Sequence, residues 1–190
     1  MKRQLRSHLL AVAPRLAERV PYSALSVERV CAAGGVAPGA FRLAFDDLSA
    51  YVQALHAHFL EQMRQRLIKV TEGTAPGLRR IMLASETYLG YNLENAALRH
   101  WLLAAYGQPG VLHAIRQQTQ IYGLLLAAEM RAAGRARADA LARLYLAMLN
   151  EVAGIELRAG GRQNAYRDAL WHFLDHAGAP APFAPALTVR

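Results

Sequence analysis

Apolar positions recur at spacings of three and four along nearly the whole chain, and no segment sustains the period-two alternation of a half-buried strand. The pattern therefore predicts an all-α fold. Leu5, Leu9, Val12 and Leu16 form one stripe, predicting an amphipathic first helix over residues 3–19 with Pro14 placed to kink it. Ser26 is suited to cap a short helix over 27–33, and Gly34-Gly35 supplies the backbone freedom for a tight turn. A second short helix follows, with Pro38 in its first turn and Phe41 and Phe45 on one side. Asp46 or Asp47 is placed to cap what comes next, where Leu48, Val52, Leu55, Phe59, Met63 and Leu67 predict one long helix to about residue 70. After a turn at 72–77, helices are expected over 76–90, 93–106, 110–132, 137–158 and 162–177, about nine in all. The expected organisation is a three-helix domain over 1–46, a larger helical domain over 47–178, and a Pro/Ala-rich flexible tail over 179–190.

Composition narrows the class. Hydrophobic residues make up 54% of the 190, yet no run approaches the roughly 18 uncharged apolar residues needed to cross a bilayer, so no membrane partner is expected. The basic start is followed by a segment broken by His8, Pro14, Arg15 and Glu18, unlike an export signal. Cys31 is the one cysteine, which rules out an intrachain disulfide; together these features predict a reducing, cytoplasmic location. The formal charge of +8 is unevenly placed. Residues 1–45 hold Lys2, Arg3, Arg6, Arg15, Arg19, Arg29 and Arg42 against Glu18 and Glu28, a net +5, while the other 145 residues carry fifteen basic and twelve acidic groups. Such a concentration suits a phosphate backbone, and it equally suits an Arg-rich solvated surface.

Two short helices joined through a glycine turn, behind an amphipathic helix and within this basic segment, make a helix-turn-helix candidate. The run over residues 26–51 also resembles the DNA-binding motif of the TetR (tetracycline-repressor) family. Ser26, Val30, Gly35, Val36, Gly39, Phe41 and Phe45 fall in register with that pattern. Ala37 stands where the family has a Ser cap, Ala40 where Thr is common, Arg42 where Tyr is usual and Leu48 where Lys is usual. The turn is matched better than the contact surface.

The resemblance implies that 1–46 is a DNA-binding domain and 47–178 an effector-binding and dimerisation domain. It implies a double-stranded DNA operator, with the second short helix entering the major groove by its N-terminal end. Ala37, Pro38, Gly39, Ala40, Arg42 and Leu43 would then face DNA. Only Arg42 among them carries several donors, so readout would draw also on Ala40 or Leu43 against a thymine methyl, on close backbone approach at Gly39, and on DNA shape. Lys2, Arg3 and Arg6 would lie on phosphates, and Ser26 and Arg29 on the backbone at the start of the preceding helix. Leu48 cannot hold a phosphate. A solvated arginine on a helix face is the alternative for Arg29 and Arg42.

Mid-chain, Tyr88, Tyr91, Trp101, Tyr106 and Tyr122, with Phe59, Met63, Leu102 and Leu125, are placed to surround an apolar cavity or to fill an ordinary helical core. In the family this region takes the effector, here expected to be an apolar or aromatic small molecule. Leu141, Leu144, Tyr145, Met148, Val152 and Ile155 on one helix, with Tyr166, Leu170, Phe173 and Leu174 on the next, offer apolar faces. They suit internal packing or, as the resemblance implies, a four-helix homodimer interface that sets two recognition helices roughly 34–36 Å apart. Asp168, His172 and His176 share a helix side, but two or three ligands on one helix do not complete a metal site, and no metal or cofactor is expected. No Gly-x-Ser-x-Gly elbow, His-Glu-x-x-His or Walker loop is present, so no catalytic residue is assigned and an enzyme is not expected. The expected function is a TetR-like transcriptional regulator, a repressor released by its effector. The alternative is a non-enzymatic helical ligand-binding or protein-interaction module with a degenerate DNA-binding head.

Overall fold

The computed structural model describes residues 1–178, so the tail expected over 179–190 lies outside the described residues. Those residues form ten α-helices and no strand: α1 (Lys2–Ala11), α2 (Ala13–Ala17), α3 (Val27–Gly34), α4 (Pro38–Ala44), α5 (Leu48–Thr71), α6 (Leu78–Glu94), α7 (Ala96–Ala104), α8 (Pro109–Ala132), α9 (Ala138–Ala159) and α10 (Asn164–His176). Short 3-10 turns occupy Tyr22–Ala24 and Ala105–Gly107. The helix expected over 3–19 is thus two helices. Pro14 has no N–H for the carbonyl four residues back, and its ring clashes there, so the axis breaks at Val12 while Leu16 N–H still reaches the Val12 carbonyl at 3.1 Å. Asp47 caps α5, its Oδ1 accepting the Ala50 N–H at 2.7 Å.

The described chain divides into two compact units. The first comprises Met1–Lys69 and Gly90–Gln118, so the boundary expected between 46 and 47 falls inside it. Three or four short helices close too little core alone. Here they share one with α5 and α7, in which Leu9, Val30, Phe41, Tyr51, Leu55, Phe59 and Leu102 are all buried. Tyr51 joins head to stem: its ring meets Phe41 at 5.9 Å and Phe45 edge-on at 5.1 Å, and its hydroxyl donates to the Leu9 carbonyl at 3.0 Å. On the other side, the Trp101 indole N–H donates to the Val20 carbonyl at 2.8 Å. Gln108 Nε2 donates to the Tyr22 hydroxyl at 2.7 Å. The loop between α2 and α3 is therefore held by α7 and the turn after it.

The second unit comprises Val70–Leu89 and the described residues from Thr119 onward. Its core gathers Ile81, Leu89, Met130, Tyr145, Leu149, Val152, Leu170 and Leu174. The Tyr145 hydroxyl shares a 2.8 Å hydrogen bond with Ser85. The hairpin of α9 and α10 is pinned by a buried ion pair, Arg167 Nε to Glu156 Oε1 at 2.6 Å and Nη2 to Oε2 at 2.7 Å. Glu156 also accepts the Gln163 N–H at 2.9 Å, which satisfies the start of α10. Burial opposes ionisation of Glu156, but the hydrogen bonds from Arg167 and Gln163 and the arginine charges outweigh it and hold the carboxyl below its ordinary value.

Candidate nucleic-acid interface

The helix-turn-helix is shaped by local chemistry that the sequence shows. Ser26 takes extended backbone and its Oγ accepts the Arg29 N–H at 3.4 Å, opening α3. Gly35 ends α3 in the left-handed region at φ 62°, and the Val36 N–H closes back on the Cys31 carbonyl at 3.0 Å while the Gly35 N–H reaches Ala32 at 3.2 Å. This paired closure needs a residue free of Cβ strain, which is why glycine stands there. Ala37 then opens α4 from extended backbone without a side-chain cap, and Pro38 sits in the first turn. Phe41 and Phe45 are buried against each other at 5.4 Å. Fixing those rings inward turns the opposite side of α4 outward.

That outward side carries most of the residues assigned to DNA. Ala37, Pro38, Gly39, Arg42 and Leu43 are exposed and Ala40 half-buried. Leu43 is 57% exposed on that side. At Gly39 an added Cβ meets nothing within 4 Å. Gly34 differs: its added Cβ would stand 2.9 Å from Leu9 Cδ2, so this glycine lets α3 lie close on α1.

Lys2, Arg3 and Arg29 are exposed, and Ser26 is half-buried by its capping role. Arg6 is engaged within the chain. Its guanidinium lies 4.6 Å over the Phe45 ring, and Nη1 donates to the Ala44 carbonyl at 3.2 Å, at the C-terminal end of α4. His8 shares a 2.7 Å hydrogen bond with the Gly34 carbonyl at the end of α3. Leu48 is half-buried at the start of α5.

Of the residues assigned to an effector, Phe59, Met63, Tyr91, Trp101, Leu102 and Tyr106 belong to the first unit and Tyr88, Tyr122 and Leu125 to the second. In the first unit the rings of Phe59 and Tyr91 meet at 5.0 Å, and the Arg66 guanidinium lies 4.9 Å over Tyr91. Phe59 and Tyr91 wall a cavity of about 260 Å³ together with Leu10, Pro14, Gln62, Asn95 and Leu98. Trp101 spends its N–H on Val20, and Tyr106 is half-buried. In the second unit the Tyr88 hydroxyl donates to Asn150 Oδ1 at 2.7 Å, Tyr122 is half-buried, and Leu125 is 57% exposed.

The residues assigned to a dimer interface divide in the same way between inside and outside. Tyr145, Val152, Leu170 and Leu174 are core residues of the second unit, so their side chains are already covered by their own chain. Leu144 and Tyr166 are exposed, and Leu141, Met148, Ile155 and Phe173 half-buried. On α10 the rings of His172 and His176 lie 4.1 Å apart, and His176 Nδ1 bonds the His172 carbonyl at 2.9 Å. No helix among the described residues is long and apolar enough to cross a membrane.

No family model matches the chain, and no curated protein is similar to it in sequence. Solved structures do share its architecture. A candidate TetR-family transcriptional regulator from Rhodococcus sp. superposes with a TM-score of 0.77 at 19% identity, over 93% of this chain and 100% of that one. A transcriptional regulator from Rhodococcus sp. Rha1 does so at 0.74 and 20% identity, over 90% and 91%. The multidrug binding protein EbrR, solved with imidazole, gives 0.67 at 19% identity over 93% and 97%. The chain shares the all-α fold of these structures, the TetR-family regulator among them, and at such identities the fold is what the likeness carries.

Proposed function

We propose that the chain is a homodimeric, TetR-like DNA-binding transcriptional regulator, a repressor acting in the cytoplasm and released by a small-molecule effector. The single observation that carries this reading is the outer side of α4. It presents Gly39, Arg42 and Leu43 to solvent on a helix whose other side is locked by Phe41 and Phe45, and among the described residues a Cβ added at Gly39 meets nothing within 4 Å. A helix held this way by a glycine turn is the element such motifs insert into the major groove. Lys2, Arg3 and Arg29 add exposed cations on the same small domain for the flanking phosphates.

Release requires that a ligand prefer one arrangement of the head. The contacts available for this are the Trp101 to Val20 and Gln108 to Tyr22 hydrogen bonds, which tie α7 and its following turn to the loop ahead of the helix-turn-helix. A ligand that displaces α7 moves that loop with it. The exposed Leu144 and Tyr166, flanked by half-buried Leu141, Met148, Ile155 and Phe173, are the surface offered to a second copy.

The test is selection of duplexes from a random pool by the purified chain, followed by titration of a selected duplex against salt. A regulator of this type enriches a two-fold-symmetric site and shows a steep linear loss of log affinity with log salt. A chain that enriches nothing and ignores duplexes in dilute buffer is not one.

A further inference from the structure

The cavity of about 260 Å³ in the first unit is bounded at three places: the break between α1 and α2, through Leu10, Ala11 and Pro14; α5, through Phe59; and the corner between α6 and α7, through Tyr91, Asn95 and Leu98. Among the described residues, that wall holds one donor and one acceptor left unused. Tyr91 is 7% exposed, and its hydroxyl makes no hydrogen bond to any described residue. Other buried tyrosines spend theirs, Tyr51 on the Leu9 carbonyl and Tyr145 on Ser85. Asn95 stands ahead of α7 but does not cap it with its side chain, whose Nδ2 donates instead to the Tyr91 carbonyl at 2.9 Å. Only the nitrogen of a carboxamide can donate, so Oδ1 is the atom left over, and it has no partner among the described residues.

Donor and acceptor stand together. The Asn95 N–H still reaches the Tyr91 carbonyl at 3.2 Å, so the two residues keep the spacing of successive helical turns and share one side. Burial raises the Tyr91 hydroxyl above its ordinary value against the opposing Arg66 charge, so it keeps its proton at neutral pH. Arg66 brings a permanent charge to the wall, but that charge is already matched: its guanidinium lies 4.9 Å over the Tyr91 ring and pairs with Glu94. His58, half-buried, and Gln62, exposed, are the other polar side chains there. A carboxylate would give up hydration without gaining a free cation, and an ammonium would face Arg66. An uncharged hydroxyl, which accepts one hydrogen bond and donates another, matches the Tyr91 O–H and Asn95 Oδ1. Volume limits what carries it. A dry cavity of about 150 Å³ holds benzene, so this one takes a single ring with a few further atoms. Phe59, whose ring meets Tyr91 at 5.0 Å, and Leu98 supply apolar surface for that ring.

Resting on the regulator reading, we infer that the effector is a small uncharged phenol, its ring against Phe59 and Leu98 and its hydroxyl shared by the Tyr91 hydroxyl and Asn95 Oδ1. This gives the apolar or aromatic effector expected from the sequence one neutral polar group. Leu10, Ala11 and Pro14 belong to α1 and α2, and Leu98 to the helix whose Trp101 holds the Val20 carbonyl, so a ring in the cavity touches the head itself.

Isothermal titration of the full chain at neutral pH with p-cresol, toluene and p-toluate tests this. The three share one ring and differ in the polar group. p-Cresol is expected to bind about tenfold more tightly than toluene, with p-toluate weakest, and Tyr91→Phe to remove the advantage over toluene. Ala11→Trp, at an exposed position of the wall, fills the cavity and should abolish binding of both neutral probes. Should either variant fail to fold, the wild-type chain still answers: with leucine methyls labelled, bound p-cresol should show nuclear Overhauser contacts to Leu10 and Leu98. Equal affinity for p-cresol and toluene, a preference for p-toluate, no p-cresol binding at millimolar concentration, or contacts to other leucines alone overturns the inference. Duplex binding measured on the same samples separates the two readings. Intact duplex binding that p-cresol does not weaken sinks the phenol and leaves the regulator standing. Tight p-cresol binding in the cavity of a chain that ignores DNA does the reverse.

Discussion

Arg42 and Gly39 stand three residues apart on the exposed side of α4, and each makes the DNA reading measurable in its own way. Arg42→Ala removes one cation, so it should weaken duplex affinity and lower the slope of log affinity against log salt by about one. Gly39→Ala fills open space in a helix, so it should leave stability unchanged or raise it by up to about 1 kcal/mol in urea unfolding, while reducing duplex affinity through lost backbone approach. A glycine whose replacement harms binding and not folding is there for the partner. His56 supplies a prediction about pH. In the folded chain it stays neutral down to about 4, whereas a free imidazole takes up its proton near about 6.5. Between those values the unfolded chain binds the extra proton, so stability rises with pH across that window and is lost on acidification. Urea midpoints followed from neutral pH to about pH 4.5 should fall for the wild type and fall less for His56→Phe.

Among the elements, the α9–α10 hairpin shows what a buried pair does to a structure. Arg167→Met leaves the Glu156 carboxylate in the core without its guanidinium, and thermal or urea unfolding should report a loss on the order of 3–5 kcal/mol. Glu156 is also held below the ordinary carboxyl range in the folded chain. The stability it contributes is therefore present above the unfolded carboxyl value and is lost as pH falls through the folded one. Helices were legible where local rules act alone: Ser26 and Gly35 fixed the two ends of α3, and Asp47 the start of α5, each through a bond to backbone nearby. Pro14 likewise marked the break between α1 and α2. The pairings of Arg167 with Glu156 and of Trp101 with Val20 were not legible, since the second spans 81 residues and follows no spacing rule.

For the whole molecule, two recognition helices require two chains, and the proposed contact predicts how. Leu144→Arg places a charge on the exposed side of α9, so light scattering across a dilution series should show dissociation at a concentration at least tenfold higher than for the wild type, with the fold intact. Tyr145→Ala, one residue on, empties a core site and should instead cost about 3–5 kcal/mol of stability. Periodicity could not separate these neighbours. Leu144, Tyr145 and Met148 all lie on an apolar arc of α9, and only the packing of α6, α8 and α10 in the second unit decides which part of that arc is already covered. The sequence alone determined the helical class, the glycine turn and the basic head, because backbone geometry, capping and net charge depend on residue type and short-range spacing. Tertiary structure decided that the head shares its core with α5 and α7, that Arg6 turns back onto Phe45, and that the His56 ring is buried with neither nitrogen partnered. Those outcomes depend on which distant surfaces are brought together, and no local pattern of hydrophobic and polar residues encodes that choice.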